Sequence, residues 1–179
     1  MRSGARAGDV VALAGRLGWS ASGLAVLRRG FSSPIAVVAA HRRPTPPYAA
    51  GPGAAEAGAT AMCDVSDGLL ADLGHIASAS TVVIDIDRAA LVRACLDDAA
   101  PLQQVGSALG VDPLAWVLTG GEDHALVATF PARAALPVGW TPIGRVRKGR
   151  AAGVLVDGQP AGDVARAVGA EGSGHVHFG

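Results

Sequence analysis

The stretch CDVSDGLLADLGHIA, Cys63 to Ala77, decides how this chain is read. An apolar run, ATAMCDV from Ala59 to Val65, ends inside it. A helical pattern starts just beyond: Leu69, Leu70, Leu73, Ile76 and Ala77 form one stripe, with Asp72, His75 and Ser78 largely off it. The spacing predicts a buried strand that runs directly into a helix from about Asp67 to Ala79.

Two readings of the junction stand side by side. Serine and aspartate are preferred helix N-caps, so Ser66 or Asp67 caps the helix while Asp64 ends its strand in solvent. The other reading starts from the outward-pointing N–H groups of a helix N-terminus, which suit a phosphate. Gly68 lets backbone or ligand approach closely. Two carboxylates repel a phosphate unless a hard cation lies between them, and Mg²⁺ binds through one or two carboxylates, phosphates and water. On that reading Asp64 and Asp67 hold Mg²⁺, and Ser66 touches phosphate or metal.

Outward from this segment, the pattern alternates without strict regularity. Asp9–Gly15 (DVVALAG) is a short buried strand stopped by glycine. Ser20–Gly30 is a helix that Ser20 or Ser22 can cap, with Arg28 and Arg29 near its negative end. Ser33–Arg43 is read as a helix, from Ser-Pro at its start, although its valine pair also suits a strand. Arg43–Gly53, rich in proline and glycine, is an extended or turning connector. Thr81–Asp87 is a strand, and Arg88 to about Leu109 is helical with a break near Pro101. Asp112 and Pro113 open a further helix. Strands follow in Thr119–Phe130, around Trp140–Gly149 and in Gly153–Pro160, where Asp157-Gly158 marks a turn. The expected fold class is α+β, a mixed sheet flanked by helices.

Composition sets the outer bounds. With 179 residues, half of them hydrophobic, the chain is long enough for one real core. Lys+Arg and Asp+Glu both total 15, so no charge excess marks a nucleic-acid or anionic-membrane partner. No run approaches the ~20 apolar residues of a membrane span, and the apolar stretch Val10–Ala14 is too short for a signal peptide. Cys63 and Cys95 form no secreted-type framework, and the expected setting is a reducing cytoplasm.

TGGED, Thr119 to Asp123, is the second constellation. It reads as an ordinary glycine turn with charged edge residues, or as a turn that aims Glu122 at a ligand's hydrogen-bond donors; a carboxylate suits an aminopyrimidine. His75 falls on the polar side of its helix, and His175 and His177 sit in a glycine-rich tail with no further ligands nearby to complete a zinc set. No Ser-His-Asp arrangement is legible, so no catalytic side chain is assigned.

Four segments, RSGARAGDVVALAGRLGWSASGLAVL (Arg2–Leu27), DVSDGLLADLGHIA, TGGEDHAL and the closing G-x-x-H-F, resemble the C-terminal half of the thiamine-monophosphate kinases. These belong to the aminoimidazole-ribonucleotide-synthetase-like superfamily. The resemblance covers nearly the whole chain and implies that residues 1–179 form that family's single C-terminal domain, with its N-terminal domain absent. It implies transfer of the γ-phosphoryl of ATP to thiamine monophosphate, giving thiamine diphosphate. Mg²⁺ ligands then fall on Asp64 and Asp67, ATP contacts on Ser66 and Arg2, and substrate contacts on Glu122 and His175. The full-length enzyme is expected to be a cytoplasmic homodimer, and this chain alone inactive. The chain departs from the family in His124-Ala125, where Tyr-Glu is usual, and in His175, where an aromatic is usual. The alternatives are an ATP-dependent enzyme of the same superfamily with another acceptor, and a non-catalytic module.

Overall fold

Strand β1 (Val10–Ala14) shows how the core divides. Side chains alternate across a pleated strand, so Val11 and Leu13 enter one apolar cluster and Ala12 and Ala14 another on the opposite face. A computed structural model describes residues 1–170. In chain order it contains β1, α1 (Trp19–Arg28), α2 (Ile35–Arg42), α3 (Ala50–Glu56), β2 (Ala61–Val65), α4 (Leu69–Ser80) and β3 (Val83–Ile86). Then come α5 (Arg88–Cys95), α6 (Ala100–Leu109), α7 (Pro113–Thr119), β4 (Ala125–Phe130), β5 (Trp140–Arg147), β6 (Gly153–Val156), β7 (Gln159–Pro160) and α8 (Ala161–Ala167).

The strands form one sheet in the order β2-β4-β1-β5-β3-β6-β7, antiparallel except for the β3–β6 pair. The larger core lies under α1, α4, α6 and α7 and includes the fully buried Leu17, Leu69, Leu73, Ile76, Leu102, Leu118 and Ile143. The smaller core packs α3 through Ala54 against Ala128, Phe130 and Trp140, with the last two rings edge to face at 5.4 Å. This is the mixed, helix-flanked α+β sheet that the interleaved pattern predicts.

Several local expectations change. Helix α1 starts at Trp19 with Gly18 at its N-cap, so neither Ser20 nor Ser22 caps it. Ser20 and Ser22 are therefore inside the helix and buried; the Ser22 hydroxyl donates to the Trp19 carbonyl and that of Ser20 hydrogen-bonds His41. The Ser33–Arg43 segment is helical, but Pro34 stands at the N-cap and Ile35 is the first helical residue. The connector from Arg43 is shorter than expected, because α3 forms from Ala50. Its proline, Pro52, falls in the first turn, where the missing N–H costs nothing. The break between α5 and α6 comes at Leu96–Ala99, and Pro101 lies in the first turn of α6.

Asp112 does cap α7, accepting the Leu114 N–H at 2.9 Å. Asp112→Ala is expected to cost about 1 kcal/mol, measured as a shift in the urea midpoint at constant slope; an unchanged midpoint would show the cap to be idle. Asp157 and Gly158 both adopt positive φ, as a tight turn between β6 and β7 requires. Among the described residues, no helix is long and apolar enough to cross a membrane.

Candidate functional site

Among the described residues, strand β2 lies at one edge of the sheet, paired with β4. Because Val65 pairs with Ala125, the chain leaving β2 runs alongside the chain entering β4. The DVSDG and TGGED segments are thereby placed side by side. Two hydrogen bonds staple them: Glu122 N–H to the Ser66 carbonyl at 3.0 Å and His124 N–H to that of Val65 at 3.2 Å. Gly121 makes the approach feasible, since a Cβ there would lie 2.2 Å from the Ser66 oxygen.

Neither Ser66 nor Asp67 caps α4. The N-cap is Gly68, at φ 115°, and no side chain caps it. A Cβ on Gly68 would meet the Thr119 carbonyl at 2.6 Å, so glycine is required both for its conformation and for the contact with the end of α7. Asp72 takes over the organising role. The stripe reading put it off the apolar face; instead it is fully buried. Its Oδ2 accepts the N–H groups of Ser66 and Asp67, both at 3.0 Å, and so folds the loop around itself. Its Oδ1 is buried and has no hydrogen-bond partner among the described residues. Burial pushes the Asp72 carboxyl above the usual range; the Asp67 N–H oppose it, the Asp67 charge adds to it, and the Ser66 N–H and His75 oppose it. The signal was present in the spacing: Asp72 is three residues after Leu69 and four before Ile76, on the edge of the same stripe.

Asp123 is the second carboxylate that sequence reasoning misplaced. Read as a charged edge residue, it is buried beneath the glycine turn. Its Oδ1 accepts the Ser20 N–H at 2.8 Å, capping α1 from a distant loop. Its Oδ2 is buried without a hydrogen-bond partner among the described residues. Burial raises its pKa to about 6, against the opposing pull of backbone donors at Ser20, Gly18 and Trp19 and of Arg16. Both neighbours of Asp123 are strained: Glu122 and His124 have φ of 66° and 52°, unusual outside glycine.

The exposed side chains are arranged around His124. Its Nδ1 lies 3.9 Å from Asp64 Oδ2 and its Nε2 3.6 Å from Glu122 Oε2, so the imidazole bridges the two loops' carboxylates. These solvent-screened pairings are weak and ionic only when the ring is protonated. Glu122 opens onto a cleft of about 260 Å³ shared with Trp116, Thr119, Arg28 and His41. Asp64 and His124 open onto an apolar one of about 340 Å³ walled by Pro47, Tyr48, Met62 and Leu126. A third cleft of about 500 Å³ over β3 and β5 contains none of the expected site residues.

Of those residues, Asp64, Ser66, Asp67 and Glu122 are brought to one corner. Among the described residues, Asp67 groups with Asp72 and His75, their ligand atoms within 4.8 Å of one another. Arg2 is exposed; its carbonyl accepts the Ser80 hydroxyl at the far end of α4, and no described contact joins its guanidinium to Ser66. His175 lies outside the described residues. Cys63 and Cys95 are free and buried, and desolvation pushes both thiols up to about 12, which makes them packing residues rather than nucleophiles.

The model of one domain family, AIR synthase related protein, C-terminal domain, matches residues 6–156. The chain belongs to that family. Among curated relatives of this AIR synthase related domain is the thiamine-monophosphate kinase of Mycobacterium tuberculosis, 52% identical over 159 residues, covering 89% of this chain and 46% of the relative. That of Corynebacterium glutamicum is 39% identical over 151 residues, covering 82% and 44%. A solved structure described as AaThiL complexed with AMPPCP and TMP superposes with a TM-score of 0.80 at 35% identity, covering 98% of this chain and 53% of that one. The AIR synthase related chain thus spans about half the length of the curated relatives it matches.

Proposed function

We propose that this chain is the C-terminal part of a kinase that transfers the γ-phosphoryl of ATP to thiamine monophosphate. The observation that carries the proposal is the stapling of the two motif loops through Glu122 N–H and the Ser66 carbonyl. It puts a phosphate-side loop (Asp64, Ser66, Asp67) next to a carboxylate-bearing cleft (Glu122, Trp116). A donor and an acceptor that react must meet at such a border. The kinase names of the relatives and the AMPPCP and TMP of the neighbouring structure support the same reading.

The chemistry asks little covalent work of the protein. The attacking group is a phosphate oxygen, already ionised near neutral pH, so no general base is required. Phosphoryl transfer then rests on alignment and charge neutralisation. Asp64 and Asp67 fit a hard cation by their oxygen chemistry, and the Asp72 carboxyl grouped with Asp67 adds a further oxygen donor nearby. Asp64 and Asp67 would hold Mg²⁺, which would supply positive charge to the crowded phosphates. The Ser66 hydroxyl donates to a phosphate oxygen. Glu122 accepts from the acceptor's amino group, with Trp116 beside it in the cleft. We assign the remaining ligands and the homodimer contact to the half of the relatives' length outside this match, and His175 and Arg2 to substrate and nucleotide contacts.

Titration with ATP in the presence and absence of Mg²⁺ tests the reading. Asp64→Asn and Asp67→Asn are each expected to weaken Mg²⁺-dependent ATP binding at least tenfold; unchanged affinity in both variants removes the metal role. The chain alone is expected to give no measurable turnover of thiamine monophosphate. In an active preparation of the whole protein, preference for another phosphorylated acceptor would select the alternative enzyme of the same superfamily.

A further inference from the structure

Acidic and basic side chains balance over the whole chain but not along it. From Val10 to Ala55 there are five arginines, Arg16, Arg28, Arg29, Arg42 and Arg43, and no aspartate or glutamate. The α1–α2 pair built from this stretch is a basic lobe on a protein of zero net charge. We propose that the outer face of α2 binds a small diphosphate ester of a ring compound, at a site separate from the one that carries Asp64, Ser66, Asp67 and Glu122. Helical spacing builds this face. Val37, Val38 and Ala40 are buried, whereas Ile35, Ala36, Ala39, Arg42 and Arg43 follow one another at i, i+1, i+4, i+7 and i+8 and are exposed. An apolar stripe thus ends in two guanidinium groups, and its isoleucine is 77% exposed.

A third guanidinium arrives from elsewhere in the chain. Arg16, in the turn after β1, lines the same cleft as Ile35, Arg42 and Arg43; its volume of about 780 Å³ exceeds those of the three clefts above. Arg16 is half-buried, and its guanidinium carbon lies 4.6 Å from the centre of the Trp19 ring. Such stacking fixes the guanidinium plane and leaves its in-plane N–H groups for a ligand. The dipole of α2 accounts for a basic residue in its last turn, but not for an arginine that converges on it from another loop. Charge complementarity names the occupant. The described residues lining this cleft include no acid, and Asp123, within electrostatic reach of Arg16, is buried and lines no part of it. Guanidinium forks bind phosphate oxygens in pairs, and three of them exceed the needs of one phosphate, which selects two linked phosphates. The cleft has small-molecule dimensions, and Ile35, Ala36 and Ala39 give a ring its apolar wall.

Calorimetric titration of the chain with inorganic pyrophosphate in EDTA tests the site. Divalent cations are excluded, so the outcome is separable from that of the kinase reading, on which the site does not rest. Saturable binding with a Kd below about 1 mM is expected. Arg42→Gln and Arg43→Gln, both exposed changes, are each expected to weaken it about fivefold. Arg93→Gln, which removes a guanidinium from the separate cleft over β3 and β5, is expected to leave it unchanged. ADP and thiamine diphosphate, the two diphosphate esters that the proposed reaction forms, are the ring-bearing arms. At least one is expected to bind more tightly than pyrophosphate, which identifies the ring, and Ile35→Ser is expected to cancel that advantage. No saturation by about 10 mM pyrophosphate, a loss in Arg93→Gln equal to that in Arg42→Gln, neither ester exceeding pyrophosphate, or an advantage that survives Ile35→Ser would each overturn the site.

Discussion

Gly121→Ala is expected to destabilise the protein by about 3 kcal/mol and to part the two motif loops. The added methyl would sit 2.2 Å from the Ser66 carbonyl oxygen, with the Ser66 and Asp67 carbonyl carbons 3.2 and 3.4 Å away. All three are backbone atoms, held by the β2–β4 ladder on one side and by Asp72 on the other. No flexible side-chain end can give way, so the loops themselves must separate. The bond from Glu122 N–H to Ser66 would be lost first. Equilibrium urea unfolding measures the stability loss, and amide exchange at Glu122 reports the broken staple. A midpoint like the parent's, with Glu122 still protected, would show that the loops are not held by this contact. Gly30→Ala serves as the control: Gly30 has a positive φ, which Gly121 does not share, and a Cβ there meets nothing within 4 Å, so only a conformational cost applies.

Asp123→Asn is expected to flatten the pH dependence of stability between about pH 4 and pH 6. The folded pKa is about 6 against an ordinary 3.8, so in that window the native state holds a proton that the unfolded chain has released. Stability from this group is therefore greatest below the ordinary value, declines as pH rises through the window, and is level above it. The full change is at most about 3 kcal/mol. Asparagine keeps an oxygen for the Ser20 N–H and carries no charge to desolvate. The variant should match the parent near pH 4 and exceed it by up to about 3 kcal/mol at pH 8. Other titrating groups cancel in the comparison, so parallel parent and variant curves across the window would refute the buried, ionised Asp123. That the parent keeps the charge fits a loop whose purpose is orientation: Asp123 anchors the turn to α1 while Glu122 and His124 are twisted outward on either side.

The two kinds of aspartate in this corner explain how much was legible in advance. Asp64 and Asp67 were found because acidic residues three apart at a strand–helix junction are a local pattern. Local spacing makes Asp72 and Asp123 surface charges, because burial of a carboxylate depends on which N–H groups surround it, and those come from Ser66, Asp67 and, for Asp123, from Ser20, more than a hundred residues earlier in the chain. The missed side-chain caps have the same origin. Ser20, Ser22 and Ser66 had the right chemistry for capping, but the positive-φ glycines Gly18 and Gly68 took the N-cap positions, since helix packing required close backbone contact there.

The sequence by itself determined the alternation of strand and helix, the strand-to-helix junction at Cys63–Ala77, the Asp112 cap and the turn at Asp157-Gly158. Each of these depends on neighbours within a few residues, where side-chain period and backbone conformation act directly. Only the tertiary structure decided the strand order, the meeting of β2 and β4 that brings the DVSDG and TGGED loops together, and the choice of Asp72 and Asp123 as the buried braces beneath them. Those outcomes depend on which distant backbone donors each carboxylate finds, and hydrogen-bond partners far apart along the chain leave no period in it.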